Sequence, residues 1–263
     1  MNAANNKEEN KYLYEELNDC NDKDEIKLNL RSETEHFIIC FRENDSKCID
    51  KVIDALENNY SRITINLEQK LENKLIIEIH SNIKSLHTAL GLQDAPDWIR
   101  GGLGAGKIII ASPLNPPPGS NFDNVLNTAI HEFVHILVNK INSNTPRWLN
   151  EGIACYEAKD NNENWIRQTV SEGISNGEIP TFKDLDTGED FKTFFDRNGY
   201  QYSYTMVEAI VNLFGYDKLR KLVKSPNKFD EVLNISEADL YKKYVDFINV
   251  FYSFNKITLS TEK

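Results

Sequence analysis

Positive charge is scarce in this sequence. Its 30 Lys and Arg face 41 Asp and Glu, giving a net charge of −11, so polyanionic partners such as nucleic acid or an anionic membrane are excluded as partners of the average surface. Long apolar runs are missing too: none approaches the roughly 18 residues of a membrane-spanning helix. The four cysteines, Cys20, Cys40, Cys48 and Cys155, form no C-x-x-C pair, which excludes a zinc ribbon or a dithiol redox motif. The opening MNAANNKEEN lacks the basic start and apolar core of a secretion signal, so a soluble, cytoplasmic protein with reduced thiols is expected. Internal repeats are absent. What remains is a globular composition over 263 residues, enough for one large domain or two small ones.

The first 30 positions carry eight acidic and four basic side chains, and residues 1–31 are expected to be an acidic, mobile arm. Within it, Tyr12, Leu13, Tyr14 and Leu17 can form a short docking helix with an inhibitory role. One larger domain is expected over 32–255, with an upper part at 32–141, a helical lower part at 142–255 and a tail at 256–263. The upper part reads as a strand at 36–41, a helix from 48 that continues toward 70, a strand at 74–80 and a helix at 83–90 ended by Gly91. His36, His80 and His87 lie in these elements without paired ligand spacing and are read as structural. The lower part reads as helices near 165–172, 190–195, 201–214 and 217–223, with a last one capped by Ser236 and Asp239 and running to about Phe251. The fold class is α+β: a small mixed sheet and a central helix, followed by a mostly helical C-terminal half.

Gly101 to Lys107 nearly matches a phosphate-binding loop, yet Ile108 stands where a magnesium-binding hydroxyl is needed, and the residues after it read as a strand, not a helix. A glycine turn into a strand at 107–112 fits better. This strand precedes the central helix, and two readings stay open for it: an ordinary core strand, or an exposed sheet edge on which Ile109, Ile110, Ala111 and Ser112 take an extended peptide as an added strand.

The chemistry is concentrated in residues 121–158. His131, Glu132 and His135 are spaced H-E-x-x-H, and on a helix residues four apart share one face, so both imidazoles can reach one metal ion. Ser120 with Asp123 resembles a capping box at the start of this helix, which is expected to end at Lys140 or Ile141. Pro146 then opens a second helix. If that helix returns antiparallel, equal lengths at about 1.5 Å per residue bring Glu151 level with His135. His131, His135 and Glu151 would then leave zinc a fourth position for water; cobalt or manganese suits the same donors.

With HEFVH, a short turn, PRWLNEGIA and a later tyrosine-started helix ending in FG, the chain resembles the gluzincin metallopeptidases, especially their compact peptidase MA-like members, over about residues 33–255. The resemblance implies a thermolysin-like catalytic domain and one Zn²⁺ per chain held by His131, His135 and Glu151. It implies Glu132 as general base and proton shuttle, and Tyr200 as donor to the developing oxyanion, with Tyr202 and Tyr204 as rivals. It differs from metzincins, which need a histidine where this chain has Ile141. Thermolysin-like enzymes place an acidic residue at the position of Cys155 to orient a histidine, so that support must come from elsewhere here. The glutamate of the aminopeptidase edge-strand motif is absent from Gly101 to Ser112, which favours an endopeptidase acting on peptides or unfolded segments. The alternative is a catalytically silent peptide-binding module on the same fold.

Overall fold

The computed structural model describes residues 27–92, 95–159 and 163–253, together with the backbone of one strand at Tyr14–Glu16. The fold is mixed α and β. It divides into two units, one formed by 1–61 with 71–132 and the other by 62–70 with 133–263. The expected arm contributes structure where it is described. Tyr14–Glu16 is strand β1, not helix, and pairs antiparallel with β2, Leu30–Glu33; the rest of the supposed docking patch and of the arm before residue 27 lies outside the described residues.

The first unit holds a six-stranded sheet in the order β1-β2-β3-β4-β6-β5. Here β3 is Phe37–Phe41, β4 Leu75–His80, β5 Gly101–Gly104 and β6 Lys107–Ala111. The three central strands run parallel, and their registers place Phe37, Ile39, Ile77, Ile79, Ile108 and Ile110 on one face. Of these, all are fully buried. Such β-branched and aromatic runs are what a sheet covered on that face requires. Helix α1, Ile49–Leu67, follows a 3-10 turn at Glu43–Cys48 and buries Ile49, Val52, Ile53 and Leu56 at helical spacing. Helix α2, Ile83–Leu90, is capped by the side chain of Asn82, ends on Gly91 in the left-handed region, and packs Leu86 on Ile109 and Ala111.

Residues 101–104 are a strand, contrary to the expected glycine turn. The turn is only Ala105 and Gly106, both at positive φ (49° and 78°), the two-residue hairpin geometry whose twist matches the flanking strands. A consequence is that β6 is bonded on both sides, to β4 and to β5. Ile109, Ile110 and Ala111 are therefore buried in the sheet interior, and Ser112 just beyond them is buried as well. They offer no exposed edge to a peptide. The sheet edge on this side is β5.

The second unit is helical: α4 Arg147–Ala158, α5 Glu163–Asn176, α6 Phe191–Asp196, α7 Gly199–Lys224, α8 Phe229–Leu233 and α9 Glu237–Tyr252. Gly215 adopts φ 80°, ψ 168° and breaks α7 where the sequence signals an end. Ser236 caps α9 through the amide of Asp239, as read from the sequence. The division between units falls inside helix α3, Phe122–Ile141, after Glu132, and not at its end. The two halves of α3 belong to different surroundings: Thr128 approaches Gly101 of β5, whereas Asn142, just past the helix, donates to the carbonyl of Val223. Among the described residues no helix is long and apolar enough to cross a membrane.

The turn between β2 and β3 is fixed by Glu57 of α1. Its carboxylate accepts from the Thr34 hydroxyl at 2.6 Å, the His36 amide at 3.1 Å and His36 Nδ1 at 2.7 Å, while the His36 ring stacks on Tyr60. His36 is thus structural. Burial raises the Glu57 carboxyl, but the bonds from Thr34 and His36 outweigh it and hold the group below its ordinary range. In the interval below about pH 4.3 the unfolded chain takes up this proton first, so stability is present above that value and falls as pH drops through the folded one. Urea unfolding across about pH 3 to 6 should show Glu57→Gln less stable by about 1 to 2 kcal/mol at pH 6, with a shallower acid limb than wild type.

Candidate metal centre

Helix α3 begins one residue later than its sequence signal. Asn121 and Asn124 exchange reciprocal bonds, each side-chain oxygen accepting from the other's amide at 2.9 and 3.1 Å. The capping pair is therefore Asn121 with Asn124 in place of Ser120 with Asp123; asparagine satisfies the same orphan amides. The helix ends at Ile141 as expected. Asn142 then builds the turn, its carbonyl accepting from the Thr145 hydroxyl and its side chain from the Asn144 amide. Pro146 is the residue before α4, not its first helical residue, and its carbonyl accepts from the amides of Leu149 and Asn150, both at 3.0 Å.

This hairpin brings together the residues its spacing implies. The donor atoms of His131, His135 and Glu151 all lie within 4.8 Å of one another, a group that can hold a metal ion. His135 Nε2 and Glu151 Oε2 are 3.5 Å apart. That is long for a hydrogen bond, but two ligands each about 2.0 to 2.1 Å from zinc in a tetrahedron stand about 3.3 Å apart. The donor chemistry fits as well, two imidazole nitrogens and one carboxylate oxygen. Glu132, next to His131, is 8% exposed, and His135 is 9% exposed.

Asn150 supplies the support that Cys155 cannot. Its Oδ1 accepts from His135 Nδ1 at 2.8 Å, which fixes the tautomer and leaves Nε2 with its lone pair on the side of Glu151. Cys155 is buried. Asn150 stands directly before Glu151, but nothing local in the sequence shows that its acceptor faces an imidazole.

Gly152, on the other side of Glu151, was also missed. A Cβ there would lie 2.4 Å from the Ser203 carbonyl oxygen and 2.7 Å from Val207 Cγ2, so α4 meets the backbone of α7 at a distance only glycine allows. A glycine in mid-helix is the readable sign of such an approach. Further along α4, the fully buried Glu157 accepts from Arg62, from Asn66 Nδ2 at 3.0 Å and from Tyr216 Oη at 2.8 Å. Burial beside this carboxylate holds the Tyr216 phenol far above its ordinary value.

The three tyrosines separate. Tyr200 sits in the first turn of α7, edge-on to Phe194 at 5.1 Å and Phe191 at 6.3 Å. Tyr202 directs its hydroxyl to the carbonyl of Glu178 and against Gly173, and burial pushes its phenol up to about 12. Tyr204 is buried beside the ring of Tyr156. His80 and His87 are buried on β4 and α2, outside the metal cluster. The strand residues Ile109 to Ser112 contribute no side chain to the cluster either.

Asn150→Ala should weaken metal binding about 10- to 100-fold by freeing the His135 ring, measured by competition with a fluorescent zinc chelator. Gly152→Ala should destabilise the fold by about 1 to 3 kcal/mol through overpacking against α7, read by urea unfolding of the metal-free protein, where Asn150→Ala should change much less.

No family model matches the chain, and no curated protein or solved structure matches it significantly either, so the chemistry of the site rests on the chain's own residues.

Proposed function

We propose that this chain is a zinc-dependent metallopeptidase of the gluzincin type, with a thermolysin-like catalytic domain, that cleaves within peptides or unfolded protein segments. The observation that carries the reading is the convergence of His131, His135 and Glu151 on one point, with Glu132 one position along the same helix. His131, His135 and Glu151 would hold the ion, and zinc bound there would supply Lewis-acid polarisation of the scissile carbonyl and of the attacking water.

The chain's own groups do the rest. Glu132, in its sheltered position, accepts a proton from the attacking water and delivers it to the amine as the carbon–nitrogen bond breaks. Its low exposure strengthens each electrostatic interaction it makes. Asn150 keeps Nδ1 of His135 protonated, so the ring presents only Nε2. Tyr200 is the donor assigned to the developing oxyanion: it starts a helix that breaks at Gly215, and the Phe191 and Phe194 rings limit its rotation. Tyr202 is disfavoured because its hydroxyl is engaged at Glu178.

Metal content and cleavage of quenched peptides test the reading together. Wild type should hold one zinc per chain and cleave internal bonds. Glu132→Gln should keep the zinc and lose at least about a thousandfold in rate, while Tyr200→Phe should keep it and lose roughly a hundredfold in kcat. Zinc without cleavage in wild type would leave a peptide-binding module, and failure of all three proteins to bind zinc would overturn the site itself.

A further inference from the structure

The second unit contains a cleft remote in sequence from the metal ligands. It opens among α5, α7 and α9, has a volume of about 170 Å³ and is lined by Arg167, Tyr204, Glu208, Phe247, Phe251 and Tyr252 among others. None of these residues belongs to the metal cluster. Its walls join aromatic rings to one guanidinium and one carboxylate, polar groups of the kind that fix a ligand's orientation. Phe251 is 50% exposed at this cleft, an aromatic surface that a bound apolar group would cover.

Two opposite charges are arranged around one side chain. The Arg167 guanidinium lies over the Tyr252 ring, 5.2 Å from its centroid, and Nη1 donates to the Phe251 carbonyl at 2.7 Å. No carboxylate pairs with Arg167 among the described residues. At the other end of the same tyrosine, Oη donates to Glu208 Oε2 at 2.6 Å. Tyr252 is 7% exposed and is also fixed through its carbonyl, which accepts from the Ser171 hydroxyl. The cleft therefore holds a guanidinium on the face of Tyr252 and a carboxylate at its hydroxyl, with further rings beside them.

We propose that this cleft is a second binding site, for a short peptide with free termini and an apolar C-terminal side chain. Arg167 takes the terminal carboxylate through its remaining N–H groups, the geometry in which guanidinium is most selective. Glu208 takes the terminal ammonium, and Phe247 and Phe251 cover the apolar side chain. A free amino acid carries both charges on one carbon, whereas two extended residues separate them by about 7 Å, enough to run from the face to the tip of a tyrosine.

Isothermal titration of the full-length protein with glycyl-phenylalanine tests the assignment. The expected result is one site per chain with a dissociation constant of about 0.1 to 1 mM, unchanged within twofold in His135→Ala. Binding should weaken at least tenfold in Arg167→Met, and equally when wild type is titrated with glycyl-phenylalaninamide or the N-acetylated dipeptide. No binding, or binding indifferent to both Arg167→Met and amidation, would overturn the proposal. So would loss of binding in His135→Ala, which would place the peptide at the metal cluster. The capped ligands decide the matter even if Arg167→Met fails to fold.

Discussion

The close approach of α4 to α7 at Gly152 is the constraint on which the site depends. One face of α4 must carry Asn150 and Glu151 toward the histidines while the other is buried, and a helix can only do both if its rotation and depth are fixed. At Gly152 backbone meets backbone, with a Cβ excluded by the Ser203 carbonyl. Interiors packed at crystal density convert such a contact into a position with little freedom. Glu151 is the next residue in the chain and inherits that position.

Glu157 fixes the same helix five residues past Gly152. A buried carboxylate is costly unless every lone pair is met, and here Arg62, Asn66 and Tyr216 meet them from three directions. Replacing any one partner leaves a desolvated charge, so the network tolerates few other placements of α4. Specificity of position, more than net stability, is what such a buried ionic group contributes. Arg147 adds a third tie at the start of the helix: its Nε donates to the Gly188 carbonyl and its guanidinium faces the rings of Phe191 and Phe194.

What could be read from the sequence follows the range of the forces involved. The helices at 49–67, 83–90, 122–141 and 237–252 are written in local periodicity and caps, and so was the level of Glu151 against His135, because a helical hairpin of known rise is local geometry. The strand nature of Gly101–Gly104 escaped because glycine carries no strand signature; its pairing is visible only once β6 is in place. For the same reason the edge assigned to Ile109 to Ser112 was misplaced by one strand. Asn150 and Glu157 were unreadable in role, since their partners are fixed by tertiary packing: a single asparagine gives no sign that its acceptor faces an imidazole.

This division has a consequence for how the site forms. All three candidate ligands lie between positions 131 and 151, in one hairpin whose turn is bonded within itself. Metal binding to these residues would therefore be coupled to formation of that hairpin. The contacts with Ser203 and with Arg62, Asn66 and Tyr216 act differently. They place α4 without supplying any ligand, so they narrow the range of geometries in which the three donors can meet. Affinity for an ion would then be a local property of α3, the turn and α4, whereas the accuracy with which Glu132 would be set beside it would depend on the helices packed against them. A chain can lose the second while keeping the first, which is why metal content and hydrolysis are separate tests of the proposed function.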